Sequence, residues 1–116
     1  MDRKKELKEK YLQMKPEMGV FIVRSHFNNK CYIEGTKNLK GAINSTKFRL
    51  KYGSHPNEEL QKEWQEYGET NFTIEVLDNL EYEKDELKTD YTEDLILLQK
   101  IWEEKISKEG VLFYKK

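Results

Sequence analysis

The sequence contains little cysteine, proline or glycine, and it has no long hydrophobic stretch. A single cysteine, Cys31, stands among 116 residues, so no internal disulfide can form and we expect a reducing compartment. Two prolines and six glycines exclude collagen-like and low-complexity chains. No apolar run approaches the roughly 20 residues that a membrane span needs, and residues 1–10 are charged throughout, unlike a secretory signal. These features predict a cytoplasmic protein that does not act on a membrane.

Charged residues are abundant and unevenly distributed along the chain. They make up 37% of the sequence, against 36% hydrophobic residues, and the net charge is −1. Residues 1–57 contain 13 Lys or Arg and 5 Asp or Glu, whereas residues 58–94 contain 3 and 14. This asymmetry predicts either a basic and an acidic face or two halves that neutralise each other on folding.

Hydrophobic periodicity predicts an N-terminal amphipathic helix within residues 1–17 and one compact domain over residues 18–116. Two β-branched segments joined by Asn28-Asn29 predict an antiparallel hairpin. The predicted strands are 19–24, 30–35 and 71–77, the predicted helices are 39–52, 58–67 and 91–106, and the tail 110–116 is extended or frayed. The third strand is expected at an edge. The predicted class is therefore α+β, a small sheet of the hairpin plus a third strand, flanked by helices.

Common motifs for metals, phosphates and nucleophiles are absent from the sequence. Cys31, His26 and His55 are too scattered to form a zinc set, and there is no Gly-rich phosphate loop or Gly-x-Ser-x-Gly elbow. The 22 Asp and Glu residues offer no pair that sequence alone selects for acid–base work. The residues by themselves predict no metal site and no cofactor.

One series of short motifs is more specific, because its order and spacing run through residues 18–106. The series comprises Met18-Gly19-Val20-Phe21, Asn28-Asn29-Lys30-Cys31-Tyr32-Ile33-Glu34, Asn38-Leu39-x-Gly41-Ala42, His55-x-Asn57-x-x-Leu60-Gln61, Tyr67-Gly68, Asn71-Phe72 and Trp102. It resembles the GIY-YIG nuclease family, and most closely a small bacterial and phage branch of that family. Phage intron homing endonucleases share the same frame. The resemblance implies a GIY-YIG-like domain.

The reactive positions of the family are mostly changed in this sequence. The resemblance implies two hairpin tyrosines, a glycine that ends the second triplet, an arginine on the next helix with a histidine one turn later, and a metal-binding glutamate on the last helix. Tyr32 is retained, and His55 matches a further histidine that the family often carries. The changed positions are Phe21, Glu34, Ala42, Thr46 and Gln99, although a register slip within 39–52 would alter the assignment of Ala42 and Thr46.

These changes predict a protein with the nuclease fold and a degenerate active site. A neutral amide is a poor Mg²⁺ ligand, and the lost metal ligand and arginine would each cost on the order of 10²–10³ in rate. We therefore expect a nucleic-acid- or protein-binding regulatory module, for example an inhibitor in a phage or mobile element. The alternative is a weak or altered DNA endonuclease that uses Mg²⁺ or Mn²⁺, with Tyr32 retained and Glu34 or Glu75 as a substitute ligand.

Two charged regions are candidates for contact with partners. The acidic run 58–94 is suited to a basic, nucleic-acid-processing protein, and the basic region around helix 39–52 is suited to nucleic acid, with Phe48 and Tyr52 interleaved. An ordinary solvated surface is the alternative for both regions. The candidate nucleic-acid-binding residues are Lys37, Lys40, Lys47, Arg49, Lys51 and His55.

Overall fold

The protein is described by a computed structural model that covers residues 15–85 and 87–115. The predicted N-terminal helix lies outside the described residues, so the division into 1–17 and 18–116 stays a prediction. The α+β class is confirmed. The elements are β1 (Met18–Ser25), β2 (Lys30–Thr36), α1 (Leu39–Tyr52), α2 (Glu58–Tyr67), a 3₁₀ turn (Glu69–Asn71), β3 (Phe72–Leu80), α3 (Thr92–Ser107) and β4 (Leu112–Phe113).

The sheet has four strands in the order β3-β1-β2-β4. β1 pairs antiparallel with both β2 and β3, which confirms the hairpin and the edge position of the third strand. Asn29 has a φ of 57°, a left-handed conformation that asparagine tolerates, and this permits the tight hairpin turn. β4 pairs parallel with the start of β2, so the tail extends the sheet.

Helices cover both faces of the sheet and bury alternate side chains of β1. Phe21 and Val23 pack with Leu39 of α1 and Leu60 of α2 in one core cluster. The opposite face packs under α3 in a second cluster made of Val20, Ile22, Cys31, Ile33 and Ile106. Because the side chains of a strand alternate between faces, each residue of the hairpin belongs to one of these two layers.

A β-bulge in β3 changes the alternation that the sequence predicts. Val20 pairs with Asp78 whereas Phe21 pairs with Val76, so the strand carries one extra residue between them. The bulge turns Asp78 toward α3, where its Oδ2 accepts a hydrogen bond of 3.0 Å from the indole nitrogen of Trp102. A Cβ on Gly19 would lie 2.0 Å from the carbonyl oxygen of Asp78, so this close approach of two strands requires glycine.

Local caps set the ends of α1 and α2. The side chain of Asn38 accepts from the backbone N–H of Gly41 at the start of α1, and Gly53 ends that helix with a φ of 78°. Asn57 caps α2 in the same way through the N–H of Leu60. Within residues 15–85 and 87–115, none of the helices combines the length and hydrophobicity needed to cross a membrane.

Candidate functional site

Tyr32 and Glu34 lie next to each other on the face of β2 that α1 covers. They are two residues apart on one strand, and Glu34 stands opposite Phe21, which points into the core under α1. The hydroxyl of Tyr32 donates a hydrogen bond of 2.6 Å to Oε1 of Glu34. Burial raises the pKa of Tyr32 far above its usual value, and the bond to Glu34 raises it further. The phenol therefore stays protonated at neutral pH, with its proton directed at the carboxylate.

His55 lies against Tyr32 in the turn between α1 and α2. The two ring centroids are 5.2 Å apart with the planes nearly perpendicular. Nδ1 of His55 accepts from the backbone N–H of Asn57 at 3.0 Å, which places the proton of the neutral ring on Nε2. Gln61 secures the turn, because its side chain accepts from the backbone N–H of His55 and donates to the carbonyl of Leu50.

His55 is electrically neutral in this environment and is largely shielded from solvent. It is only 7% exposed, and burial lowers its pKa, although the nearby Glu34 carboxylate acts in the opposite direction. A side chain this enclosed presents little surface to a nucleic-acid backbone. Its predicted role in nucleic-acid binding stays a prediction, while its position beside Tyr32 is a feature of the fold.

Three of the changed family positions offer no reactive group to a substrate. Phe21 is fully buried and Thr46 is 5% exposed, while Ala42 packs against the same core. Arg49 stands seven residues after Ala42 and therefore on the same side of α1, two turns further along. Burial raises the pKa of Tyr32, and the positive charge of Arg49 opposes that effect. Burial lowers the pKa of His55, and the charge of Arg49 lowers it further.

The charge of Arg49 therefore acts on the Tyr32 phenol, although the position that the resemblance assigns to arginine is Ala42. The sequence analysis selects Arg49 as a candidate nucleic-acid-binding residue, but matching of motif positions does not connect it with Tyr32.

The position that resembles the metal ligand holds Gln99, whose amide is already engaged. Its Oε1 accepts a hydrogen bond of 2.9 Å from the backbone N–H of Gly35. The oxygen is therefore directed at the strand, and the remaining amide nitrogen carries only donors, which repel a cation. Among residues 15–85 and 87–115, no group of three or more His, Cys, Asp or Glu side chains is arranged to hold a metal ion.

The two carboxylates considered as substitute ligands do not form a site together. Glu34 is hydrogen bonded to Tyr32. Glu75 pairs with Ile22 across β1 and β3, and directly opposed residues point to the same face of a sheet. Since Ile22 packs under α3, Glu75 lies on the face opposite Glu34. The residues present do not fit the divalent metal that the resemblance implies.

The predicted basic residues are divided between separate surfaces. Lys40, Lys47 and Lys51 follow helical spacings of seven and four, so they share the side of α1 that is away from Arg49. Lys37 lies outside the helix, 4.0 Å from Asp90. The structure therefore separates a lysine side of α1 from the cluster around Tyr32.

Part of the acidic run is paired with cations inside the fold. Lys30 lies 2.8 Å from Glu59, and Lys88 lies 2.8 Å from Asp94 and 3.2 Å from Glu83. The Lys30 pair joins the basic half of the chain to the acidic run, whereas both Lys88 pairs lie within the run itself.

Comparisons with known proteins identify the fold. No family model and no curated protein matches this sequence. Among solved structures, the catalytic domain of the homing endonuclease I-TevI matches with a TM-score of 0.64 at 22% identity, covering 85% of this chain and 99% of that one. A mutant of the same catalytic domain, described as an intron endonuclease, matches with a TM-score of 0.64 at 21% identity, covering 85% and 92% of the two chains. The resemblance is confirmed at the level of fold: the chain adopts the architecture of a GIY-YIG nuclease catalytic domain.

Proposed function

We propose that this chain is a nucleic-acid-binding protein on a GIY-YIG nuclease fold that has lost metal-dependent cleavage. The solved neighbours are endonucleases, which supports nucleic acid as the partner. The observation that carries the loss of cleavage is the amide of Gln99, whose oxygen accepts from Gly35. Phosphoryl transfer depends almost wholly on positioning and charge stabilisation, and an engaged neutral amide cannot supply the charge of a metal-bound carboxylate.

The state of the retained tyrosine supports the same conclusion. A tyrosine that activates water must release or share its proton, but the proton of Tyr32 is held by Glu34 at 2.6 Å. The Glu34 carboxylate also places negative charge where a phosphodiester would approach Tyr32. Both effects oppose cleavage, while the positive charge of Arg49, which acts on Tyr32 and His55, preserves some attraction for a phosphate backbone.

A regulatory role follows if the protein binds a site on nucleic acid without cleaving it. A protein that binds the target of an active nuclease and leaves it intact competes with that nuclease. The acidic run offers less support for a protein decoy, because several of its carboxylates pair with Lys30 and Lys88.

A second function, an altered endonuclease, has one observation in its favour. The hydrogen bond from Tyr32 to Glu34 forms a dyad in which the carboxylate is positioned to accept the phenolic proton. Such a site would cleave through Tyr32 and would lose activity when the hydroxyl is removed.

Plasmid nicking distinguishes the two functions. Supercoiled DNA is incubated with Mg²⁺ or Mn²⁺ and either the natural protein or the Ala42→Arg/Gln99→Glu variant, with and without Glu34→Gly. We expect no nicking by the natural protein and metal-dependent nicking by a restored variant, which would also confirm the register of α1. Metal-dependent nicking by the natural protein that disappears in Tyr32→Phe would overturn the proposal and establish the endonuclease.

Tyr82→Phe is the matched control for Tyr32→Phe, because Tyr82 donates its hydroxyl to a backbone carbonyl away from the site. Binding is measured separately by the anisotropy of a labelled duplex at increasing salt. We expect affinity to fall steeply with salt, as it does when lysine and arginine displace counterions from phosphates. Absence of binding to any nucleic acid at low salt would refute the binding role.

A further inference from the structure

An open groove lies on the lysine side of α1, separate from the cluster around Tyr32. It has a volume of about 600 Å³ and runs between α1, α2 and β3. Trp64 and Phe72 form part of its lining, with ring centroids 4.9 Å apart, and Ile74 of the edge strand continues the apolar surface. This volume is within the range of sites that hold a molecule the size of a nucleotide.

Two aromatic side chains, Phe48 in the lining of the groove and Tyr52 against the Phe48 ring, are exposed to an unusual degree. Phe48 is 62% exposed and Tyr52 is 63% exposed, and their ring centroids lie 4.6 Å apart. Large aromatic rings normally bury most of their area, so a pair left open on one helix indicates a surface for a flat apolar partner. The fold needs neither ring for its core, because both lie outside the buried clusters.

A lysine precedes each of these aromatic residues. Lys47 and Lys51 line the groove together with Phe48, and Nζ of Lys51 lies 5.6 Å from the centre of the Tyr52 ring. Lys47 and Lys51 are four residues apart and form one row on the helix, and Phe48 and Tyr52 form a second row about 100° around the helix axis from it. Glu69 is the single carboxylate among the lining residues.

We propose that this groove, together with the exposed Tyr52 ring next to it, binds single-stranded nucleic acid, with unpaired bases stacked on Phe48 and Tyr52 and the phosphates beside Lys47 and Lys51. The inference rests on the proposed nucleic-acid binding and names the form of nucleic acid that is bound. An exposed ring offers stacking to a base only when that base is outside a duplex. An apolar peptide would use the rings but not the two aligned cations, whereas a double helix would use the cations but not the rings.

Fluorescence anisotropy tests the groove with a labelled thymidine oligonucleotide and a duplex of the same length. The variants are Phe48→Ala, Tyr52→Ala and Lys47→Gln/Lys51→Gln. The matched controls are Leu97→Ala, which removes a side chain 60% exposed on α3, and Lys100→Gln, which removes an exposed cation from the same helix. Circular dichroism of each variant verifies that the fold is retained.

We expect the single strand to bind more tightly than the duplex. Each aromatic substitution should weaken single-strand binding about 5- to 150-fold, which is the range measured for loss of one stacked base, and should leave duplex binding unchanged. The double lysine substitution should lower the slope of log affinity against log salt by about 1.4, from about 0.7 for each phosphate contact. The two controls on α3 should have no effect.

Three results would overturn the inference, and they are distinguishable from one another. Equal binding of single strand and duplex, with no effect of Phe48→Ala or Tyr52→Ala, refutes the groove and leaves the proposed nucleic-acid binding intact. Absence of binding to either form refutes the proposed function together with the groove. The third result is that an apolar peptide binds without displacing nucleic acid and that Phe48→Ala weakens this binding. That result assigns the groove to a peptide instead.

Discussion

The hydrogen bond between Tyr32 and Glu34 predicts that the two side chains are coupled in the free energy of unfolding, and this coupling bears directly on function. The donor–acceptor distance is 2.6 Å, and the acceptor is a carboxylate. Hydrogen bonds to charged groups contribute about 1.5–3 kcal/mol, and partial exposure of both residues reduces this contribution. We therefore expect a coupling free energy of about 1–1.5 kcal/mol between Tyr32→Phe and Glu34→Gln in a double-mutant cycle.

Urea unfolding, followed by tryptophan fluorescence and circular dichroism, measures that coupling at neutral pH. The raised pKa of Tyr32 adds a second readout at high pH. Above about pH 10 the unfolded chain loses the phenolic proton first, so the free energy of unfolding falls as pH rises, by up to about 1.4 kcal/mol per pH unit for each such group. Tyr32→Phe should remove one part of this slope, and Tyr114, whose pKa is also raised mainly by burial, should account for another.

The control for this cycle is Tyr82→Phe, whose hydroxyl donates to the carbonyl of Pro16 and not to a carboxylate. It should show no coupling to Glu34→Gln. A coupling below about 0.3 kcal/mol between Tyr32 and Glu34, which is the level seen for independent sites, would refute the reasoning. The proton of Tyr32 would then be free to serve in catalysis, and the endonuclease alternative would gain support.

Three further predictions concern the elements that position the site. Burial lowers the pKa of His55, so the histidine of the unfolded chain takes up a proton at a higher pH than that of the folded protein. The free energy of unfolding, measured by urea titration, should therefore fall as the pH drops below about 6.5, by at most about 1.4 kcal/mol per pH unit. His55→Gln should remove this dependence, and substitution of the exposed His26 should not. Gly19→Ala should cost more than about 3 kcal/mol, measured by thermal unfolding, because its Cβ would lie 2.0 Å from a carbonyl oxygen of β3; an unchanged melting temperature would contradict the close approach of the two strands. Asn57→Ala should lower the free energy of unfolding by about 2 kcal/mol, since this 7% exposed side chain caps α2 and donates to a carbonyl of the C-terminal tail. Asn38→Ala, at the exposed cap of α1, should lower it by about 1 kcal/mol. Equal losses would show that the contact with the tail contributes nothing.

The helices were predictable because their signals are local. The bounds 39–52 and 58–67 follow from an asparagine cap, an apolar stripe and a closing glycine, all of which lie within the segment itself. The bulge in β3 and the two-residue β4 were not predictable in the same way. Both depend on pairing with distant strands, and neither leaves a distinct pattern in its own few residues.

The sequence selects candidate positions for the site, whose roles stay predictions, but it does not contain their interactions. Motif spacing placed Tyr32, His55 and Gln99, and the structure puts Tyr32 against His55. The hydrogen bonds from Tyr32 to Glu34 and from Gly35 to Gln99 depend on side-chain geometry that spacing does not contain. The separation of Arg49 from the lysines of α1 follows from helical periodicity. It is found only when each basic residue is placed on its face of the helix.

If the proposed loss of cleavage holds, the changed positions explain how the fold persists without the chemistry that the resemblance implies. A tyrosine hydroxyl in the place of Phe21 would need a hydrogen-bond partner, since an unsatisfied buried polar group costs about 1–3 kcal/mol, whereas the phenyl ring packs at 0% exposure against apolar neighbours. At Gln99 a carboxylate would meet the N–H of Gly35 as an acceptor just as the amide does, so stability alone does not explain its replacement. The amide removes a negative charge from α3, while Glu34 adds one on β2. Under the proposed function, the two changes together move negative charge from the position that the resemblance assigns to a metal ligand to a position where it opposes an approaching phosphate.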